Sequence, residues 1–298
     1  MEMDNLIKMN ELNIVDLKSE FINFVDVSGK TLETYIDGID NFAIYLQSKN
    51  IKKPTRKDII EWRNSLIVNN SCNTANTYLV GVKAFFKFLE MCNLYTNITN
   101  NVKGAKISVT PKKNVLTLEQ IKNIYNNLED DKEKALFGLL ITTGLRGTEV
   151  ANARIKDIKE YNGETCLFVK CKGHQEYDEY VKIPNDIMEN LKNYIGERNE
   201  GFIFISNSNN NKNGGITIKT IRKWIKDIFK RFGINDETIS LHSTRRSFAC
   251  VSYNLGKSIY DIQSVLHHKS IQTTARYLKQ VDRNNNNTEQ LVANAILG

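Results

Sequence analysis

The stretch from Asn101 to Thr117, NVKGAKISVTPKKNVLT, holds Gly104, Pro111 and four lysines with no helical or alternating apolar period. Clear apolar periodicity stands on both sides of it, so the two sides cannot share one run of amphipathic elements and must each bury a core. Two domains are therefore predicted, 1–100 and 117–298, joined by a basic linker at 101–116. The 298 residues, 41% of them hydrophobic, are enough for both cores.

Upstream of the linker the period is helical. From Thr31, TLETYIDGIDNFAIYLQSK places Leu32, Tyr35, Ile36, Ile39, Phe42, Ala43 and Leu46 on one face. Pro54 and Thr55 open another helix, with Asp58 placed as in a loose capping box and Ile59, Trp62, Leu66 and Ile67 on the apolar side. Thr74 to Leu89 forms a third, with Lys83 and Lys87 four residues apart on one face, and a weaker helix from Val15 to Val25 makes four.

Downstream, TLEQIKNIYNNL begins a helix capped by Thr117 with Gln120 at its third position, and a mostly helical pattern follows. Between Ala153 and Pro184, however, ARIKDI, TCLFVKC and EYVKIP read as three short strands, the last two joined by the polar turn KGHQEYDE. The runs Asn209–Asn211 and Asn284–Asn287 read as exposed loops, and TEQLVANAIL at the end as a detached amphipathic helix. The fold class is thus mainly α with a small antiparallel β-sheet.

Charge is segregated. Residues 1–48 carry three lysines against nine acidic residues, whereas 49–87 carry eight basic against two acidic and 101–298 carry 30 basic against 22 acidic. With an overall charge of +7, this pattern suits a phosphate-bearing partner, and solvated helix faces are the plain alternative. Five cysteines without a CxxC pair point to reduced thiols rather than disulfides or a zinc site. No apolar run approaches the ~18 residues of a membrane span, and the start MEMDNLIKMNELN lacks the order of a signal peptide, so a cytoplasmic protein without membrane contact is expected.

Several residues carry chemistry. In TTGLRGTEV, Arg146 and Glu149 stand three apart, the spacing of one helical face. Lys172 lies at the start of the polar turn between the second and third strands. LHSTRRSFA offers His242 and Arg245, again three apart, and SVLHHKSIQTTARYLKQ offers His267, His268 and Tyr277. Singly these read as a surface ion pair, a solvated turn lysine and a wet helix face. Together they form the inventory that cleavage of a phosphodiester by tyrosine requires. A phenol with a pKa near ~10 needs a base and nearby cations; guanidiniums match phosphate oxygens in a crowded transition state; lysine and histidine move the protons. Tyr253 and Tyr260 lie in apolar helical stretches and read as core.

With these motifs in this order, the chain resembles the tyrosine recombinases of the phage-integrase family, of the simple Xer-like two-domain type, over nearly its whole length. The resemblance implies that Arg146, Lys172, His242, Arg245, His268 and Tyr277 are catalytic, with Glu149 supporting Arg146. Three positions depart from the usual pattern: His267 stands where the family commonly has Gly, Thr244 where it has Leu, and Arg246 where a His often follows. His267 is thereby a second imidazole competing for the same phosphate.

The resemblance further implies a core-binding, SAM-like DNA-binding domain at 1–100 and a catalytic domain at 117–298. The reaction is cleavage and rejoining of double-stranded DNA through a 3′-phosphotyrosyl link, without metal or cofactor, by a homotetramer or together with a related recombinase. Its purpose would be integration or excision of a mobile element or resolution of DNA dimers. Lys83, Lys87, Lys219, Arg222, Lys223 and Lys226 are candidate DNA contacts. The end helix from Thr288 to Leu297 docks on a neighbouring protomer or packs on its own domain. The rival readings are a type IB topoisomerase-like relaxing enzyme and a DNA-binding regulator of the same fold without catalysis.

Overall fold

The computed structural model describes residues 14–106, 114–170, 178–206, 211, 214–285 and 288–297, with the backbone alone at Val15, Asn69 and 280–285. The chain divides into two compact units, Met1–Val109 and Thr110–Gly298. No helix among the described residues is long and apolar enough to cross a membrane.

The first unit is four helices: α1 (Ile14–Phe24), α2 (Gly29–Ser48), α3 (Arg56–Asn69) and α4 (Cys72–Met91). Ser28 and Ser71 cap α2 and α4, and the Asp58 carboxylate accepts from the Thr55 N–H and hydroxyl at the head of α3, as the capping pattern predicts. The core is aromatic: Phe42 meets Trp62 at 5.0 Å and Phe86 at 6.1 Å between ring centres, and Phe21 meets Phe85 edge-on at 5.6 Å. Helices α2 and α4 cross backbone to backbone. A Cβ on Gly38 would lie 2.6 Å from the Tyr78 carbonyl oxygen, and one on Gly81 2.7 Å from the Tyr35 backbone.

The stretch read as a linker is packed at both described ends. Val102 is buried in the first core, and its carbonyl accepts from Lys83 Nζ at 2.6 Å. Arg63 donates to the Lys103 carbonyl and Arg56 to that of Asn101, while Asn76 both accepts from the Ala105 N–H at 2.6 Å and donates to its carbonyl at 2.9 Å. A polar segment without period can be held this way because its backbone groups need partners wherever they leave water. At the other end Leu116 is buried in the second core.

The second unit contains α5 (Leu118–Asn127), α6 (Asp131–Thr143), α7 (Gly147–Asn152), a 3₁₀ turn at Ile155–Asp157, strands β1 (Ile158–Tyr161), β2 (Glu164–Val169) and β3 (Glu179–Lys182), then α8 (Asn185–Ile195), α9 (Ile218–Arg231), α10 (Leu241–Asn254), α11 (Ile259–Val265), α12 (Ile271–Asn285) and α13 (Thr288–Leu297). Helix α6 begins with a charged turn, is apolar and buried from Ala135 to Ile141, and packs on α8 and α10. The antiparallel sheet runs β1-β2-β3, with Leu167 and Val181 facing inward and the rings of Phe168 and Tyr180 meeting at 5.5 Å on the other face.

Three local expectations are corrected. ARIKDI is not a strand: Arg154 makes one bridge to Phe202, and the strand begins at Ile158. The cause is the Asn162–Gly163 turn, with φ of 52° and 77°, which pairs Tyr161 with Glu164 in the tight hairpin that Asn-Gly favours. Asn284 and Asn285 end α12 instead of lying in a loop. Tyr260 is 70% exposed, not core, whereas Tyr253 packs against a small cluster around Ala249 and Leu266.

The glycine crossing yields a stability test. Gly38→Ala and Gly81→Ala each gain up to ~1 kcal/mol of helix propensity. Overpacking against rigid backbone costs about 1–3 kcal/mol, so the double substitution should lower the urea midpoint of the first unit. An unchanged or raised midpoint contradicts the crossing.

Candidate active site

Helix α10 starts at Ser240 and runs LHSTRRSFA, yet Ser243, Thr244, Arg245, Arg246 and Ser247 are all buried. Most of their polar groups have a local or long-range partner. Thr244 Oγ1 donates to the Leu241 carbonyl at 2.8 Å, and Ser247 Oγ accepts from the Leu116 N–H at 2.8 Å. Arg245 is 1% exposed. Its Nη1 donates to the Gly144 carbonyl at 2.7 Å, its Nη2 donates to the Leu266 carbonyl, and Glu149 lies 3.9 Å from Nη1. Its Nε is buried with no hydrogen-bond partner among the described residues. Desolvation first, then the charge of Arg146, lowers its pKa to about 10 against the opposing pull of Glu149, which leaves it protonated at neutral pH.

Glu149 joins the two arginines. It sits three residues into the first turn of α7, where Oε2 accepts from the Arg146 N–H and Oε1 from Arg146 Nη1, both at 2.7 Å. Gly144, at φ 65°, ends α6 and turns the chain toward Arg146. A Cβ there would fall 2.6 Å from Leu266 and 2.7 Å from Phe248, so α6, α10 and the end of α11 close on one point.

Tyr277 on α12 faces this point. Its Oη is 2.8 Å from His242 Nε2, and its ring centre is 5.7 Å from that of His242 and 5.5 Å from that of His268. His268 is held by Nδ1 to Thr274 Oγ1 at 2.9 Å. Desolvation, then the positive charges of Arg245, Arg246 and Arg146, lower the His242 pKa to about 4; because the residue remains exposed at the surface, the field of the guanidiniums is the firmer cause. Desolvation, Arg245 and Arg146 likewise bring His268 to about 3. Both rings are therefore neutral at neutral pH, and in the Nδ1–H tautomer His242 Nε2 accepts from the phenol.

Arg146, Glu149, His242, Arg245, His268 and Tyr277 are thus brought together. Lys172 lies outside the described residues. Arg246, read only as a departure from the usual pattern, stands with its guanidinium 5.8 Å over the Tyr277 ring, and Thr274 orients His268; neither contact leaves a local signal in sequence. His267 is corrected: its ring is turned away to the Tyr180 carbonyl, 3.1 Å from Nε2. A cleft of about 950 Å³ opens beside Arg146, His242 and Arg245, with Arg222, Lys226 and Lys230 of α9 on its wall. Lys219 and Lys223 are exposed on the same helix. Lys83 and Lys87 belong to the first unit; Lys87 is exposed, but Lys83 is committed to the Val102 carbonyl.

The phage integrase family matches residues 114–284, more than half of the chain and the whole of this constellation. The chain belongs to that family. The N-terminal SAM-like domain of phage integrases matches residues 20–92, within the four-helix unit. Tyrosine recombinase XerA of Pyrococcus furiosus is 27% identical over 292 residues, covering 93% of this chain and 96% of that protein. Tyrosine recombinase XerC of Staphylococcus aureus is 26% identical over 283 residues, covering 88% and 91%. Among solved structures, the XerH site-specific recombinase bound to palindromic difH substrate shares the fold with a TM-score of 0.72 at 18% identity, over 93% of this chain and 85% of that one. A lambda integrase tetramer bound to a Holliday junction does so with 0.69 at 19%, over 90% and 78%.

Two measurements test this phage-integrase-family site. In an NMR titration of the free protein, His242 and His268 should stay neutral until well below pH 5. Because their unfolded pKa is ~6.5, stability is complete above that pH and falls as the pH drops toward 4 and 3; a midpoint near 6.5 for either ring contradicts the arrangement. Glu149→Gln removes the charge between two arginines and should cost about 3–5 kcal/mol of stability in urea unfolding.

Proposed function

We propose that the chain is a site-specific DNA recombinase that cuts and rejoins DNA through Tyr277. The observation that carries this reading is the Tyr277 hydroxyl set 2.8 Å from the neutral His242 Nε2, beside the buried guanidinium of Arg245. In the cleavage step Oη attacks a phosphodiester phosphorus, its proton passes to His242, and the bond to the 5′ oxygen breaks. A 3′-phosphotyrosyl link and a 5′-hydroxyl result, Lys172 being the assigned donor of the proton that the leaving oxygen takes up. The guanidiniums of Arg146 and Arg245 meet the charge that builds on the phosphate oxygens, and His268 offers Nε2, its Nδ1 being held by Thr274. Rejoining is the reverse step with a partner strand's hydroxyl. The bond energy stays in the phosphotyrosine, so no nucleotide or metal is called for.

The first unit is read as the core-binding domain and the second as the catalytic domain, with the α9 cations lining the cleft as phosphate contacts. Assembly as a tetramer on DNA follows the lambda integrase tetramer bound to a Holliday junction. It is supported by α13, whose Leu291, Val292, Ile296 and Leu297 are 50–85% exposed and suited to cover on a second protomer.

The test is trapping on nicked DNA from the gene's own neighbourhood, in EDTA. Wild type should give a covalent band that Tyr277→Phe abolishes, and Arg146→Ala and Arg245→Lys should slow its formation on the order of 100-fold to 1000-fold. Tight binding without any covalent band would replace this reading with that of a non-catalytic DNA-binding regulator. Relaxation of plasmid lacking a special site would favour the relaxing enzyme.

A further inference from the structure

His267 has φ of 48°, a left-handed conformation that strains a residue with a Cβ and that glycine adopts freely. A turn needing only that conformation would be better served by glycine, so the side chain is the feature to explain. Its ring is 6% exposed, with Nε2 3.1 Å from the Tyr180 carbonyl oxygen and 3.6 Å from Glu179 Oε2. Strand β3 ends the sheet order, so its outward carbonyls have no neighbouring strand among the described residues, and the imidazole occupies one of them. The same turn is fixed from the other side. Leu266 lends its carbonyl to Arg245, and the His268 N–H donates to the Gln263 carbonyl at 3.1 Å while Gln263 Nε2 donates to the His268 carbonyl at 2.9 Å.

We propose that His267 is a positioning residue for strand cleavage: donating from Nε2 to Tyr180, it ties the edge strand β3 to the turn that presents Leu266 to Arg245 and His268 to Tyr277. The inference rests on the recombinase reading above. Burial lowers the pKa of the ring while Glu179 opposes, so at neutral pH the neutral Nε2–H tautomer makes the bond. His267 Nε2 is thereby committed to the sheet. It sets the register between the sheet and the catalytic turn, a role that the glycine common at this position in the family leaves to the backbone alone.

The test compares His267→Gly and His267→Gln on nicked DNA, scoring covalent-complex rate, DNA affinity and thermal stability together. Glycine fits the turn without strain, so stability and affinity should hold while cleavage slows on the order of tenfold to 100-fold, as for a small misplacement near reacting atoms. Glutamine, which keeps a donor at the Nε2 position and cannot ionise, should restore most of the rate. A glycine variant that cleaves at the wild-type rate overturns the proposal, as does loss of folding or affinity in parallel with rate in both variants. If wild type itself forms no covalent complex, the recombinase reading falls and takes this inference with it.

Discussion

The second unit is organised by one desolvated cation. Taking a guanidinium out of water costs several kcal/mol unless its N–H groups are met, and Arg245 is met by carbonyls from two separate places, the end of α6 and the end of α11, with Glu149 beyond. Satisfying that one side chain therefore fixes the relative placement of α6, α7, α10 and α11. The nucleophile's surroundings inherit this order: His242 stands one turn before Arg245, Arg246 one residue after, and the turn carrying His268 is the one whose Leu266 carbonyl Arg245 holds. The Arg245 Nε–H alone among its nitrogens is buried without a hydrogen-bond partner among the described residues, so the charge that folding has fixed in place is not fully neutralised by the fold.

Much of this was legible in the sequence, for reasons that differ by element. The helices of the first unit follow from apolar period and caps, since both are local. The order of Arg146, Glu149, His242, Arg245, His268 and Tyr277 pointed to one site because few chemistries need that set. Helix α10 is legible as a helix but its burial is not, because a run of Ser, Thr and Arg looks wet until its long-range acceptors are known. For the same reason Arg246 read as a mere departure: its partner, the Tyr277 ring, lies thirty-odd residues on, and no spacing rule links them. The β1–β2 hairpin was missed through a local signal, Asn162–Gly163, passed over in favour of the apolar residues before it.

Charge counting misled in a specific way. The basic excess of residues 49–87 suggested cations free for DNA, but Arg56, Arg63 and Lys83 are turned onto carbonyls of the segment that follows α4. A side chain can donate to its own backbone and face solvent with its remaining N–H groups, so such residues hold the fold and contribute field at once. Formal charge alone does not separate the two roles.

The crossing of α2 and α4 has a consequence for how this unit can diverge over time. The atoms that Gly38 and Gly81 face belong to the main chain at Tyr78 and Tyr35, so no exchange of those tyrosines makes room for a methyl group. Elsewhere in the aromatic core a larger ring on one helix can be answered by a smaller one on its neighbour. At these two positions no such compensation exists, and the sequence can change there only by sliding a whole helix, so the pair is closed to the stepwise drift that the rest of the core allows.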